Sequence, residues 1–255
     1  MKQYINPQWQ YTLLNNGFNQ FEKIWQLPSH WVDGINKRGD GWSGVSRVQL
    51  NLPSGEARNV YVKRQQNYGR RYRPSMPVLE QEFNNIQRMH NLKIPTLTPI
   101  YFGKQKTTEG LQAVLITEAL IGFQSLQDWL QYWQIHGWPS YAEQVTIINV
   151  MANTIKCLHR FGMIHGCLYP KHIFLSLDKE EPEIRLIDLE KCRYWPLVRH
   201  RTVRDLSTLS YYTREFSRTQ QIRFFLAYLH QSRIDNHARH LIRLMKKRLQ
   251  QKGRV

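Results

Sequence analysis

"MIHGCLYPKHIFLS", Met163 to Ser176, sets two histidines, a thiol and a phenol in a loop that runs into the short strand pattern "HIFLS". "IRLIDLEKCR", Ile184 to Arg193, follows, and its apolar run "IRLI" reads as a second short strand with Asp188 directly at its end. A carboxylate at a strand end is well placed for a metal, and His165, Cys167, Tyr169 and His172 lie on the loop before it. The thiol decides how this loop is read. With an unperturbed pKa of about 8.5 it is mostly protonated at neutral pH and accepts a proton less readily than a carboxylate would.

The rest of the chain supplies a scaffold around these two loops. Upstream, "EQVTIINVMANTIKCLHRFG" repeats Val145, Ile148, Met151, Ile155 and Leu158 at helical spacing and ends at Gly162. "LQAVLITEAL" is an apolar run of buried-strand length, and Gly122 breaks it before a helix carrying Leu126, Trp129 and Leu130 on one side. "WSGVSRVQLNL" and "ARNVYVKRQ" flank "PSGE", whose Pro53 and Gly55 give turn chemistry, so the segment predicts a hairpin. "PVLEQEFNNIQRMHNL" then places Leu79, Phe83, Ile86 and Met89 or His90 at helical spacing, with Pro95 and Pro99 stopping the helix. From about Val203 the chain is mostly helical and strongly basic. A β-rich part followed by an α-rich part predicts an α+β protein in two lobes, residues 1–118 and 119–255.

Composition bounds the partners more than the fold. At 255 residues with 41% apolar content the chain can bury a sizeable core, and 12% aromatic residues argue against disorder. A formal charge of +17 attracts phosphates, anionic headgroups and nucleic acid alike. Cys157, Cys167 and Cys192 form no CxxC pair and are odd in number, which speaks against a zinc site or a disulfide framework and for a reducing compartment. No run of about 18 apolar residues appears, nor the apolar core of a signal peptide. These features predict a cytoplasmic protein, either soluble or peripheral at the inner membrane.

Upstream of the hairpin, "GDGWSGVS" holds Gly39, Gly41 and Gly44 in G-x-G-x-x-G spacing. Here the glycines run into a strand instead of opening a helix, which fits a flap whose backbone approaches phosphate rather than a dinucleotide turn. "VYVKRQ" puts Lys63 near the end of the next strand, and Glu82 on the following helix is spaced to orient it as an ion pair.

Taken in this order, the glycine flap, Lys63, Glu82, "IHGCLYPKHIFLS" and "IRLIDLEKCR" resemble the protein-kinase-like fold. Within it they most resemble the lipopolysaccharide core kinase family (Kdo/WaaP-like), in its InaA branch. The resemblance spans Gly39 to about Leu209 and is most specific from His165 to Lys191. It implies a two-lobed kinase-like fold, with ATP and Mg²⁺ as cofactors and an anionic sugar or lipopolysaccharide precursor as phosphoryl acceptor. Gly39, Gly41, Gly44, Lys63, Glu82 and His172 would hold the nucleotide. His165, Cys167, Tyr169 and Asp188 would form the catalytic-type loops, with Asp188 and His172 at the metal. His172 stands where protein kinases use a metal-binding Asn, as in the heptose kinases of this family. Asp205 in "VRDLSTLS" corresponds to the aspartate that braces the catalytic loop from the next helix. Cys167 occupies the position of the usual catalytic Asp, which leaves two readings open: an atypical kinase, or a pseudokinase that binds nucleotide or a partner as a stress or regulatory module.

Two basic segments add partner expectations. "RQQNYGRRYRPS" interleaves Arg70, Arg71 and Arg73 with Tyr68 and Tyr72, a pattern suited to a phosphorylated sugar acceptor. "ARHLIRLMKKRLQQKGRV" sets Leu241, Met245 and Leu249 on one stripe, with Arg239, Arg243, Lys246 and Lys247 away from it. Such a helix suits an inner-leaflet membrane surface, an acidic protein partner, or plain packing on the domain. A nonspecific nucleic-acid binder is a further reading of the charge, unsupported by any helix-turn-helix, zinc or RNA-recognition pattern.

Overall fold

The structure is a computed structural model that describes residues 2–28, 30–32, 34–70, 73–178 and 181–253. The chain divides into two compact units, residues 1–88 with 97–121 and residues 89–96 with 122–255.

The first unit contains β1 (Lys2–Ile5), α1 (Gln10–Asn15), α2 (Phe21–Trp25), β2 (Asn36–Arg38), β3 (Gly41–Asn51), β4 (Ala57–Gln66), β5 (Gly69–Arg70) and β6 (Arg73–Pro77). It also holds most of α3 (Val78–Asn91), then β7 (Pro99–Thr107) and β8 (Gly110–Glu118). Six strands form an antiparallel sheet in the order β1-β7-β8-β4-β3-β2. The β3–β4 hairpin predicted around "PSGE" is present, in register from Trp42↔Gln66 to Asn51↔Ala57.

Alternation along β4 sends side chains to opposite faces of this sheet. Val60 and Val62 enter a core with Leu13 of α1, Phe21 and Ile24 of α2, and Ile116 of β8. Residues in odd positions face α3, where Phe83 stacks on Phe102 at 4.7 Å and the Gln65 side chain caps the Leu79 amide. Lys63 therefore projects toward α3 and Arg64 away from it.

The second unit contains β9 (Gln124–Ser125), α4 (Leu126–His136), α5 (Tyr141–Arg160), β10 (Met163–Ile164), β11 (Ile173–Ser176), β12 (Glu183–Leu186) and β13 (Arg193–Tyr194). Three helices follow: α6 (Val198–Tyr212), α7 (Arg218–Leu229) and α8 (Asn236–Gln250). Ser140 and Glu143 close a capping box at the start of α5, and Ser217 with Gln220 does the same for α7. Ile148, Met151, Ile155 and Leu158 bury one face of α5 at the spacing read from the sequence. The small strands pair as β12-β11-β9 and β10-β13.

Leu241 of α8 is buried, while Met245 and Leu249 line a largely apolar cavity of about 520 Å³ walled also by Ile148, Leu209 and Phe225. The basic residues Arg239, Arg243, Lys246 and Lys247 are exposed. Among the described residues no helix is long and apolar enough to cross a membrane.

Candidate functional site

In the first unit, Lys63 Nζ lies 2.6 Å from Glu82 Oε1, with the carboxylate 2% exposed and the lysine 21%. The strand alternation that turns Lys63 toward α3 makes this pair possible, and the burial of Glu82 fixes where the ammonium can sit.

The three flap glycines have separate local reasons. Gly39 turns the chain from β2 into β3 at φ +59°. At Gly44 a Cβ would stand 2.5 Å from the Trp31 ring, so this position is bare because an indole lies flat on it. Gly41 is closed in the same way by the backbone of Asn67. Trp31 in turn carries the Arg64 guanidinium at 4.7 Å from its centroid, and Arg64 donates to the carbonyls of Trp25 and Leu27 at 2.8 and 2.6 Å. Sequence reasoning missed this buried arginine, because only three-dimensional packing distinguishes it from the other basic residues of the segment. Arg71 lies outside the described residues, and Arg70 and Arg73 are described by backbone alone, in the β5–β6 pair.

The second unit assembles the loop from His165 to His172 and the loop from Asp188 to Lys191. Asp205 on α6 is fully buried and accepts from the backbone N–H of His165 at 2.7 Å and of Gly166 at 3.0 Å. Its third partner is His159 Nε2 at 3.0 Å, and the other ring nitrogen of His159 meets the Tyr228 hydroxyl at 2.8 Å. Burial alone would raise the Asp205 carboxyl, but hydrogen bonding and the charge of His159, with His165, hold it below the ordinary value of 3.8. One carboxylate thus braces the loop. His159 was not foreseen, since its partners lie 46 and 69 residues away.

Gly166 adopts φ +80°, and a Cβ there would come within 2.8 Å of the Lys191 carbonyl oxygen. The glycine lets the first loop lie against the second. His165 is buried, its Nε2 donates to the Ile187 carbonyl at 3.1 Å, and its Nδ1 has no partner among the described residues. Desolvation holds its pKa below 6.5, so at neutral pH it is an uncharged tie between the loops rather than a proton carrier.

His172 and Asp188 meet, with Nε2 3.2 Å from Oδ2. His172 Nδ1 sits 2.8 Å from the Cys167 carbonyl, which can only accept, so Nδ1 carries the proton of that bond. A neutral ring would then aim the Nε2 lone pair at a carboxylate. The contact is favourable when a proton or a cation lies between the two, and this donor pair fits a cation. Among the described residues no group of three or more His, Cys, Asp or Glu could hold a metal, so further ligands would have to be phosphate oxygens and water, the shell Mg²⁺ favours. Asp188 itself adopts the left-handed region at φ 58°, ψ 61°, an unusual conformation for a side-chain-bearing residue and one that clusters at functional sites.

Cys167 is 4% exposed. Desolvation pushes its thiol above the ordinary value, and the Lys191 ammonium beside it pulls the other way without reversing the shift. Lys191 escaped the sequence reading because it sits on the second loop, 24 residues downstream. Tyr169 packs edge-on to His172 at 5.5 Å and to Tyr212 of α6 at 4.8 Å.

Comparison with known proteins matches residues 22–228 to the model of the lipopolysaccharide kinase (Kdo/WaaP) family. Protein InaA of Escherichia coli K12 is 30% identical over 182 residues, which is 69% of this chain and 80% of InaA. The lipopolysaccharide core heptose(I) kinase WaaP of Pseudomonas aeruginosa is 26% identical over 125 residues, 46% of each chain. Among solved structures, WaaP in complex with acyl carrier protein superposes with a TM-score of 0.71 at 20% identity, covering 98% of this chain and 99% of that one, and it shows the kinase-like α+β fold.

Proposed function

Because the chain belongs to the lipopolysaccharide kinase (Kdo/WaaP) family, we propose that it is an ATP-dependent phosphotransferase acting on a sugar hydroxyl of a lipopolysaccharide core precursor. The observation that carries this reading is the presence of both side-chain pairs such chemistry needs, the ion pair of Lys63 with Glu82 and the meeting of His172 with Asp188. Lys63, held by Glu82, binds phosphate oxygens of the nucleotide. Asp188 and His172 would hold Mg²⁺, which when bound offsets phosphate charge. Tyr169 and the loop braced by Asp205 position the acceptor hydroxyl. No carboxylate stands at Cys167 to take its proton, so rate comes from positioning and charge stabilisation, the larger share in a loose phosphoryl-transfer transition state.

The test is mass-spectrometric detection of phosphate transferred from MgATP to purified core oligosaccharide. Product is expected from the wild type and neither from Lys63→Ala nor from Asp188→Ala. Absence of product above the Asp188→Ala control defeats the enzyme reading; a Lys63-dependent thermal shift with MgATP would then leave a nucleotide-binding pseudokinase.

A second reading concerns a partner. The solved WaaP is bound to an acyl carrier protein, and this chain has both a basic charge and the 520 Å³ apolar cavity beside α8. An acyl chain borne by an acidic carrier fits those two features. Purified acyl carrier protein with and without a long acyl group should bind unequally, and Leu209→Trp, which fills the cavity, should erase the difference. Equal binding of both forms removes the cavity from the account.

A further inference from the structure

We propose that Tyr212, Tyr211 and Arg214 form a carbohydrate subsite at the end of α6, stacking one sugar ring and holding an anionic substituent on it. The inference deepens the phosphotransferase reading and rests on it for the class of acceptor. Its basis is a continuous ladder of rings. From His172 the contacts pass to Tyr169 at 5.5 Å, to Tyr212 at 4.8 Å and to Tyr211 at 4.9 Å. The Arg214 guanidinium lies 4.4 Å from the Tyr211 centroid and closes the series. One end is the histidine paired with Asp188; the other opens at the surface.

The ladder is not core. Tyr212 is 40% exposed and Arg214 is exposed, although Tyr212 continues the face of α6 that carries the buried Asp205, so the ladder emerges where that face reaches the end of the helix. Yet its placement is fixed, because the same helix grips the loop through Asp205, seven residues or about 10 Å of helix rise before Tyr212. A rigid phenol at a surface, set against the loop that carries Cys167, presents what a pyranose needs: a flat face for its C–H surface and a hydroxyl for its own hydroxyls. Arg214, already oriented by its contact with Tyr211, offers a planar fork that suits a carboxylate or phosphate bidentately. An anionic sugar meets both demands, and a neutral one meets only the first.

The probe is a deacylated core oligosaccharide containing heptose, Kdo and phosphate, titrated calorimetrically into the full chain, with MgATP titrated separately. Tyr212→Ala should weaken the oligosaccharide by about tenfold, the scale of one lost aromatic contact, while Tyr212→Phe keeps the stacking and stays near wild type. Arg214→Gln should weaken the native oligosaccharide more than a dephosphorylated, carboxyl-reduced one. MgATP affinity should be unchanged in all three. The proposal falls if the wild type does not bind the oligosaccharide, if Tyr212→Ala binds it like wild type, or if that variant loses nucleotide and oligosaccharide together. The two readings fail separately: Tyr212-dependent binding without phosphate transfer keeps the subsite and removes the enzyme. Transfer with an unchanged acceptor KM in Tyr212→Ala does the reverse.

Discussion

At the scale of single residues, the position that matters most is Cys167. It is a buried loop residue with a neighbouring ammonium on Lys191 and a backbone carbonyl already engaged by His172, and in the proposed phosphotransferase it takes the place of the base. A carboxylate placed there would lose solvation but gain the Lys191 charge, and opposite charge at close range favours the ionised form. Cys167→Asp is therefore expected to raise phosphate transfer to the core oligosaccharide by about 10²- to 10⁴-fold, the usual contribution of a positioned base, while Cys167→Ser gives no such gain. Initial-rate measurement of the three proteins at saturating MgATP checks this, and a Cys167→Asp rate equal to wild type would mean that the acceptor hydroxyl does not reach residue 167. The pair of Lys63 with Glu82 was legible in the sequence because each side chain sits at a fixed offset from a strand or helix boundary, whereas the meeting of His172 with Asp188 was legible only through the family resemblance, which puts both at the metal. Lys191, His159 and the tyrosines ending α6 were not, since what brings them to the loops is contact across 24 to 69 residues of chain.

At the scale of elements, local pattern predicted what local pattern builds. The β3–β4 hairpin follows from alternation and a Pro-Ser-Gly turn, α3 and α5 from apolar residues at helical spacing, and β11 and β12 from short apolar runs. The first 38 residues went unread because their order comes from elsewhere: β1 is four residues long and exists by pairing with β7, Lys2 opposite Lys104. Helices α1 and α2, of six and five residues, are too short to stand alone and hold their shape by burying Leu13, Phe21 and Ile24 against the sheet. The same contrast explains the flap. Its glycine spacing invites a phosphate reading, and the structure adds a packing reason at Gly44, where the Trp31 ring occupies the space of a side chain. In α8 the apolar stripe and the basic face were both visible in sequence, but the cavity the stripe lines depends on α5, α6 and α7 arriving beside it.

At the scale of the whole molecule, stability and charge meet in the response to acid. The chain carries +17 with its ten histidines neutral, so acidification adds further positive charge to a molecule already repelling itself. That part is electrostatic and should shrink when salt is added. A second part should not. His165 is buried with its pKa held below 6.5 by desolvation, so the unfolded chain takes up a proton at this site before the folded one does. The sign follows from linkage: a depressed folded pKa gives stability that is fully present above about 6.5 and is lost as pH falls toward the folded value. Asp205 acts in the same direction at lower pH, its contribution being intact above its ordinary 3.8 and lost as pH falls through its depressed folded pKa. Thermal melts from pH 8 to pH 5 at low and high salt separate the parts. The wild type should hold its Tm down to about pH 6.5 and then fall, with high salt removing some but not all of the slope. His165→Gln, which keeps a donor for the Ile187 carbonyl but cannot titrate, should start with a lower Tm and lose less of it across the same window. Parallel curves for the two proteins at high salt would mean that His165 takes up its proton without cost to the fold, and that the loop it ties tolerates a charge at its centre.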